Sequence, residues 1–227
     1  MNKVKLVIFD VNETTFSLNE LKNRFIKKKI NPNLVETWFL SVLKEGFATS
    51  NINFFVDFKT IARNQLKKII HKHGFAMKND FVDFFFDGFK NLKAHDDILN
   101  AFRLLQKKGF KIVTLTNGSK ENTEVLLQKN NLSEYVVKCF SIDQVKKWKP
   151  NPEPYQMVLE HFKLKPYEAI MIAAHGWDLL GAKNVGLLTG YITRYEFWIN
   201  DYFSKPDFED KNAEGLVKKI IAESTSI

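Results

Sequence analysis

The chain contains a single cysteine, Cys139, in 227 residues. One thiol excludes an internal disulfide and any thiolate metal cluster, and it predicts a reducing, cytoplasmic setting. Long apolar runs are also lacking: no stretch approaches the roughly 20 residues that a membrane span requires. A strand-like run begins within a few residues of the N-terminus, which leaves no room for a leader with charged and apolar regions, so none is expected. The sequence also has no zinc-ligand spacing, aromatic RNA-binding motif or internal repeat. Its formal net charge of +8 would suit an acidic partner. The lysines, however, are spread through amphipathic patterns such as "LKNRFIKKK", "LKKIIHKHG" and "LLQKKGFK", which read as solvated helix faces. Neither a nucleic-acid partner nor a membrane is expected.

What is present is ample core material, with 44% hydrophobic and 14% aromatic residues. That suits one large domain, or a core domain with an insertion. Short apolar or β-branched runs at residues 5–9, 111–115, 136–140, 169–173 and 190–193 alternate with polar turns and helical patterns. The alternation predicts an α/β fold with a Rossmann-like parallel sheet. "AFRLLQKKGF" has helical spacing and stops at Gly109, a C-cap before "KIVTL". "PNPEPYQMVLEHFKL" is a proline-led helix entry.

Residues 16 to 91 differ. Leu18, Leu21 and Phe25, then Leu34, Trp38, Val42 and Leu43, then Ile61, Leu66, Ile69 and Ile70 recur at helical intervals. "FVDFFFDGF" is ambiguous between strand and helix. The expected organisation is an α/β core of residues 1–15 and 92–227 with a helical cap domain, residues 16–91, inserted into it. The phenylalanines of that insertion are expected chiefly to pack, some of them facing a cleft.

Ligands of a parallel sheet bind at the carboxyl ends of its strands. Asp10, Asn12, Glu13 and Thr14 follow the first run; Thr116, Asn117, Gly118 and Ser119 follow "KIVTL". Lys149 comes shortly after the third run, and His175, Trp177 and Asp178 follow "AIMIAA". Any one set is ordinary turn chemistry; together they assemble carboxylates, a lysine, a histidine and an Asn/Thr pair at one edge.

In this order, "IFDVNETT", "VTLTNGS", "KWKPNPEPY" and "MIAAHGWDLLGAKNVG" resemble the four motifs of the haloacid dehalogenase superfamily. The match spans the whole chain and implies a haloacid dehalogenase-like core, with the family's smaller helical cap at residues 16–91. Phosphatases of that superfamily carry a second Asp two residues after the nucleophile, to protonate the leaving oxygen. Asn12 stands there, and an amide is no general acid near neutral pH. Halide needs no such proton. "TNGS", Tyr155 and "WDLLGA" resemble the type II L-2-haloacid dehalogenases, which use no metal and are commonly homodimers.

That resemblance implies Asp10 as the nucleophile, with Lys149 favouring its carboxylate form and Thr14 and Asp178 holding both in place. Backbone N–H groups near Val11, Asn12, Thr116 and Asn117 would receive the carboxylate of a small haloacid substrate. The Asn117 amide would also reach the departing halide, and Tyr155 would offer its phenol or pack. Neither metal nor cofactor is expected, and a homodimer is. The chain departs from the family in its first motif, where Asn12 and Glu13 replace an aromatic residue and a glycine. In its fourth motif, Ala173, Ala174 and His175 stand where serines and an asparagine are usual. A neutral His accepts a proton and Asn does not, so a Glu13–His175 pair is expected to activate the water that hydrolyses the aspartyl ester. The competing expectation is that His175 caps the helix starting near Trp177 while Glu13 pairs with a surface lysine.

In the cap, Trp38–Phe39 stands where the family has Trp–Arg, leaving Arg63 as a substitute from another helix. Two other outcomes remain open: a Mg²⁺-dependent phosphatase using Asp10 and the Asp178 region, and a scaffold that has lost activity. A buried Asp10–Lys149 pair argues against the scaffold, being costly to keep without a use.

Overall fold

The computed structural model describes residues 4–75 and 79–225. Its centre is a wholly parallel sheet built from β1 (Leu6–Phe9), β4 (Lys111–Thr116), β5 (Val136–Ser141), β6 (Ala169–Ala173), β7 (Leu188–Ile192) and β8 (Phe208–Asp210). The spatial order is β5-β4-β1-β6-β7-β8. β1 pairs on one side with β4, Ile8 opposite Val113, and on the other with β6, Ile8 opposite Met171. Strands buried on both faces read as continuous apolar runs, and every residue of "LVIF" and "AIMIA" is buried. The pleat divides them: Val7 and Phe9 join one hydrophobic layer, Leu6 and Ile8 the other.

Helices α5 (Ile98–Lys107), α6 (Lys120–Lys129), α7 (Pro152–Phe162), α8 (Gly176–Asn184) and α9 (Ala213–Thr225) cover the sheet. α5 buries Ile98, Ala101, Phe102 and Leu105, the i, i+3, i+4, i+7 stripe. Gly109, at φ 79°, ends that segment in the left-handed region that glycine tolerates. α6 starts under a side-chain cap, Ser119 accepting from the Asn122 amide. No described helix is long and apolar enough to cross a membrane.

Between β1 and the rest of the sheet the chain forms α1 (Asn19–Lys27), α2 (Leu34–Asn51), α3 (Phe58–Lys72) and α4 (Asn79–Asp87). "FVDFFFDGF" is therefore helical over most of its length, because Phe81, Val82 and Phe85 present one buried stripe. Trp38 fixes the layer: its indole N–H donates to the Ala62 carbonyl at 2.9 Å, and its ring meets Phe85 edge-on at 5.1 Å. Two short strands, β2 (Phe16–Ser17) and β3 (Lys93–Ala94), pair antiparallel where the chain leaves and re-enters the sheet region.

The helical layer lies over the carboxyl edge of the sheet. Trp148 anchors it by donating its indole N–H to the Val56 carbonyl at 2.8 Å and its backbone N–H to Ser50 at 3.1 Å. Phe58 stacks on the same ring at 6.0 Å.

Candidate active site

β1 ends between β4 and β6, the place in an open parallel sheet where neighbouring connections diverge and leave a crevice. Asp10 is the first residue beyond it. Its backbone N–H still donates to the Ile172 carbonyl at 3.0 Å, and its carbonyl accepts from the Thr15 hydroxyl at 2.6 Å. The carboxylate is fixed at both oxygens: Thr14 Oγ1 donates to Oδ2 at 2.7 Å, and Lys149 Nζ to Oδ1 at 2.9 Å. Thr14 Oγ1 in turn accepts from the Ala174 amide at 2.9 Å, tying the loop after β1 to the end of β6.

Lys149 is fully buried, and its three ammonium donors are all used, on Asp10, on Asp178 Oδ2 at 2.6 Å and on the Leu115 carbonyl at 3.0 Å. Burial alone would pull this ammonium down; the Asp10 and Asp178 charges outweigh it and hold Lys149 above its ordinary value. Burial pushes the Asp178 carboxyl up against the opposing pull of Lys149, with Asp10 adding to the rise.

Two predicted substrate contacts are occupied structurally. Tyr155 is buried, and its hydroxyl donates to Asp178 Oδ1 at 2.6 Å, so its phenol supports the acid. Burial and the Asp178 charge hold that phenol well above its usual range, so it remains a donor. The Asn117 carboxamide clasps the Lys149 backbone, accepting its N–H at 2.9 Å and approaching its carbonyl at 3.4 Å. Thr116 Oγ1 accepts the Gly118 amide at 2.8 Å, shaping the turn after β4.

His175 occupies the residue before α8 but makes no side-chain cap. Its Nε2 lies 2.9 Å from Glu13 Oε2, and its Nδ1 lies 4.0 Å from Asp10 Oδ2. Nδ1 is buried with no hydrogen-bond partner. Burial opposes protonation of this ring, yet the Glu13 hydrogen bond and charge, reinforced by Asp10 and Glu196, raise it above the ordinary histidine value. The ring lies between Trp177, at 5.8 Å and 24°, and Tyr195, at 6.3 Å and 5°, with Phe39 at 6.2 Å. Trp177 also faces Lys149 Nζ at 5.7 Å, and its indole Nε1 is buried with no partner.

A cleft of about 610 Å³ opens beside Val11, Asn12 and Thr116, with Phe58, Phe86 and Arg63 on its opposite wall. Arg63 thus shares the cleft with the predicted carboxylate-binding turns, but its guanidinium pairs with Asp83 at 2.7 Å and lies over Phe86 at 5.4 Å. Phe39, buried against His175, adds no charge.

The donor set fits a divalent ion poorly. Both Asp178 oxygens are committed, one to Lys149 and one to Tyr155, and the Lys149 ammonium already bridges Asp178 to Asp10. Among the described residues no group of three or more His, Cys, Asp or Glu side chains could hold a metal ion.

Sequence patterns did not point to Tyr195, Glu196 or His95, which also surround His175 and Glu13. They sit outside the strand-end motifs, on a loop and just after the two-residue β3.

Comparison with known proteins bears on this arrangement. A model of haloacid dehalogenase-like hydrolases matches residues 4–186. The chain is 24% identical over 196 residues to (S)-2-haloacid dehalogenase 1 of Pseudomonas sp. (strain CBS-3), covering 86% of each. It is 26% identical over 211 residues to pyrophosphatase PpaX of Bacillus cereus (strain B4264), covering 91% of each. The solved L-2-haloacid dehalogenase of Xanthobacter autotrophicus shares the fold, with a TM-score of 0.88 at 19% identity over 96% of this chain and 98% of that one.

Proposed function

The chain belongs to the haloacid dehalogenase-like hydrolases, and on that premise we propose that it hydrolyses small L-2-haloacids through an aspartyl ester on Asp10. The observation that carries this reading is the Glu13–His175 pair, whose free Nδ1 lies 4.0 Å from the Asp10 carboxylate. Similarity to the (S)-2-haloacid dehalogenase of Pseudomonas supports the substrate class.

In the first step an Asp10 oxygen attacks C2 of the acid, the carbon–halogen bond breaks, and halide departs with the bonding electrons. The substrate carboxylate is received by backbone N–H groups near Val11, Asn12, Thr116 and Asn117, and the unpartnered indole N–H of Trp177 is available to the halide. Thr14 and Lys149 keep the nucleophile oriented, while Asp178 and Tyr155 keep Lys149 in place. While Asp10 is anionic, its charge adds to the Glu13 contact in raising the proton affinity of His175 above the ordinary value.

Esterification removes the Asp10 charge, one of the causes of that rise, so the ring's proton affinity falls and the neutral form is favoured relative to the free enzyme. With Nε2–H held on Glu13, the neutral imidazole presents its Nδ1 lone pair on the Asp10 side. Water attacks the Asp10 carbonyl carbon, and its proton passes to Nδ1. Collapse of the tetrahedral adduct expels the 2-hydroxy acid, whose oxygen takes that proton back, and the Asp10 carboxyl gives up its remaining proton through His175 to restore the carboxylate. The products are halide, one proton and the hydroxy acid, with C2 inverted. The cap in this reading is residues 16–91, closing the cleft from above.

The test is halide release from L-2-bromopropionate, with and without EDTA, for the parent chain, Asp10→Asn and His175→Ala. Asp10→Asn is expected to release none. His175→Ala is expected to release about one halide per enzyme and then stall with added mass on the Asp10 peptide, as the triad logic requires. Continued turnover by His175→Ala would sink the water-activation step. Similarity to pyrophosphatase PpaX favours a phosphoryl reading instead; phosphate release from an aryl phosphate that depends on added Mg²⁺, without halide release, would replace the dehalogenase.

A further inference from the structure

The Glu13–His175 contact depends on a backbone conformation that glutamate rarely adopts. Glu13 has φ 64°, in the left-handed region, where a Cβ crowds the following carbonyl. Its surroundings hold it there. The Glu13 N–H donates to the Phe16 carbonyl at 2.8 Å, and its own carbonyl lies 3.0 Å from His95 Nε2. The two-stranded ladder makes this approach possible: Phe16 pairs with Ala94, so the residue after β3 comes beside the turn before β2. His95 is pinned in turn by its backbone N–H, which donates to the Thr15 carbonyl at 3.0 Å.

A carbonyl only accepts, so His95 Nε2 must carry a proton. The Tyr195 hydroxyl lies 3.3 Å from the same nitrogen and therefore meets that N–H through its oxygen. Burial, with the Arg194 charge adding to it and Asp97 and Glu13 opposing, pulls the His95 imidazole down to about 4. Its neutral, Nε2-protonated tautomer thus persists across the working range. Tyr195 continues the circuit, its ring parallel to His175 at 6.3 Å. The next residue, Glu196, accepts the Gly176 amide at 2.8 Å and fixes this loop to the start of α8.

We propose that His95 and Tyr195 are positioning residues for ester hydrolysis: His95 holds Glu13 through its carbonyl, and Tyr195 holds the His175 ring parallel to itself. Together they keep Nε2 on the carboxylate and Nδ1 toward Asp10. This assignment rests on the dehalogenase reading only for its kinetic consequence. The charged groups facing His175 are Glu13, Asp10 and Glu196, and neither positioning residue carries charge near neutrality.

The experiment follows L-2-bromopropionate turnover in His95→Phe, which keeps a ring and removes the donor, and in Tyr195→Ala. Each is expected to lower steady-state turnover by about ten- to a hundredfold, the order of loss when a catalytic group is displaced by about 1 Å. Ester should accumulate on Asp10 while the burst of halide remains. Tyr195→Phe and His95→Gln, which restore the ring and a donor respectively, are expected to recover most of the loss. Burst and turnover falling in parallel, or no loss in either variant, would overturn the assignment. A second readout stands apart from chemistry: the ¹⁵N-detected titration of His175. Its midpoint should move down in His95→Phe as the Glu13 contact loosens, since that variant leaves the rings packed on His175 in place. If the parent releases no halide, the dehalogenase reading fails while this titration still decides the positioning claim, which an unchanged midpoint in His95→Phe refutes.

Discussion

Lys149 Nζ lies 2.9 Å from Asp10 Oδ1 with the lysine wholly out of solvent, and the same ammonium holds Asp178 at 2.6 Å. One cation thus neutralises part of the charge of two buried carboxylates. Lys149→Ala leaves them facing each other unpaired. Breaking a buried pair in this way costs about 3–5 kcal/mol, so the denaturant midpoint should fall sharply and halide release should vanish. A variant as stable as the parent would show that the pair is dispensable to the fold.

The histidine makes stability depend on pH with a definite sign. Its folded pKa is raised above the ordinary 6.5, so the folded state binds the proton more tightly than the unfolded chain. Its contribution is complete below about 6.5 and is lost as pH rises through the higher folded value. Against His175→Gln, the parent should gain more stability at about pH 5 than at about pH 9. Urea titrations at both pH values measure the difference; one that does not change with pH would contradict the raised value.

Gly181 lies on α8 where a Cβ would meet the Pro150 carbonyl at 2.6 Å and the Tyr155 hydroxyl at 2.6 Å. Neither has a flexible end to withdraw. Gly181→Ala should therefore cost about 1–3 kcal/mol through overpacking and lower turnover by disturbing the Tyr155 support of Asp178. Thermal melting with a parallel halide assay tests this, and unchanged melting would mean that α8 shifts without cost.

Trp177→Phe keeps an aromatic face on His175 and Lys149 but deletes an indole N–H that has no protein partner. A hydrogen bond to a charged group contributes about 1.5–3 kcal/mol, so the first displacement should slow by roughly tenfold or more if that N–H meets the halide. Stopped-flow halide release measures it. Folding should be indifferent, since the buried donor is lost together with its unmet demand.

The strand-end chemistry was legible because a parallel sheet turns sequence order into spatial convergence. Asp10, Lys149 and Asp178 follow three apolar runs, and the structure joins them through one ammonium. Glu13 and His175 were legible as a pair for the same reason, and the helix-cap alternative for His175 lacks its hydrogen bond. Tyr155 and Asn117 were visible as residues, but not in their orientation: whether a phenol faces substrate or Asp178 depends on how α7 lies against α8. β8, at Phe208–Asp210, escaped because three residues at a sheet edge, none of them fully buried, carry no pattern. His95 follows a strand of two residues, too short for any periodicity to mark.

On the proposed dehalogenase reading, the β2–β3 ladder has a consequence for redesign of this chain. Glu13 and His95 flank the crossing through which the helical segment is spliced into the chain. The helices carry the opposite wall of the cleft, whereas the splice itself sets the partner of His175. A chimera that swapped residues 19–91 for another helical insert would exchange substrate selection while inheriting deacylation intact, provided its two short strands kept their register. If the register slipped by one residue, the chimera would still take up substrate and break its carbon–halogen bond, but only once: a suicide reagent in place of a catalyst.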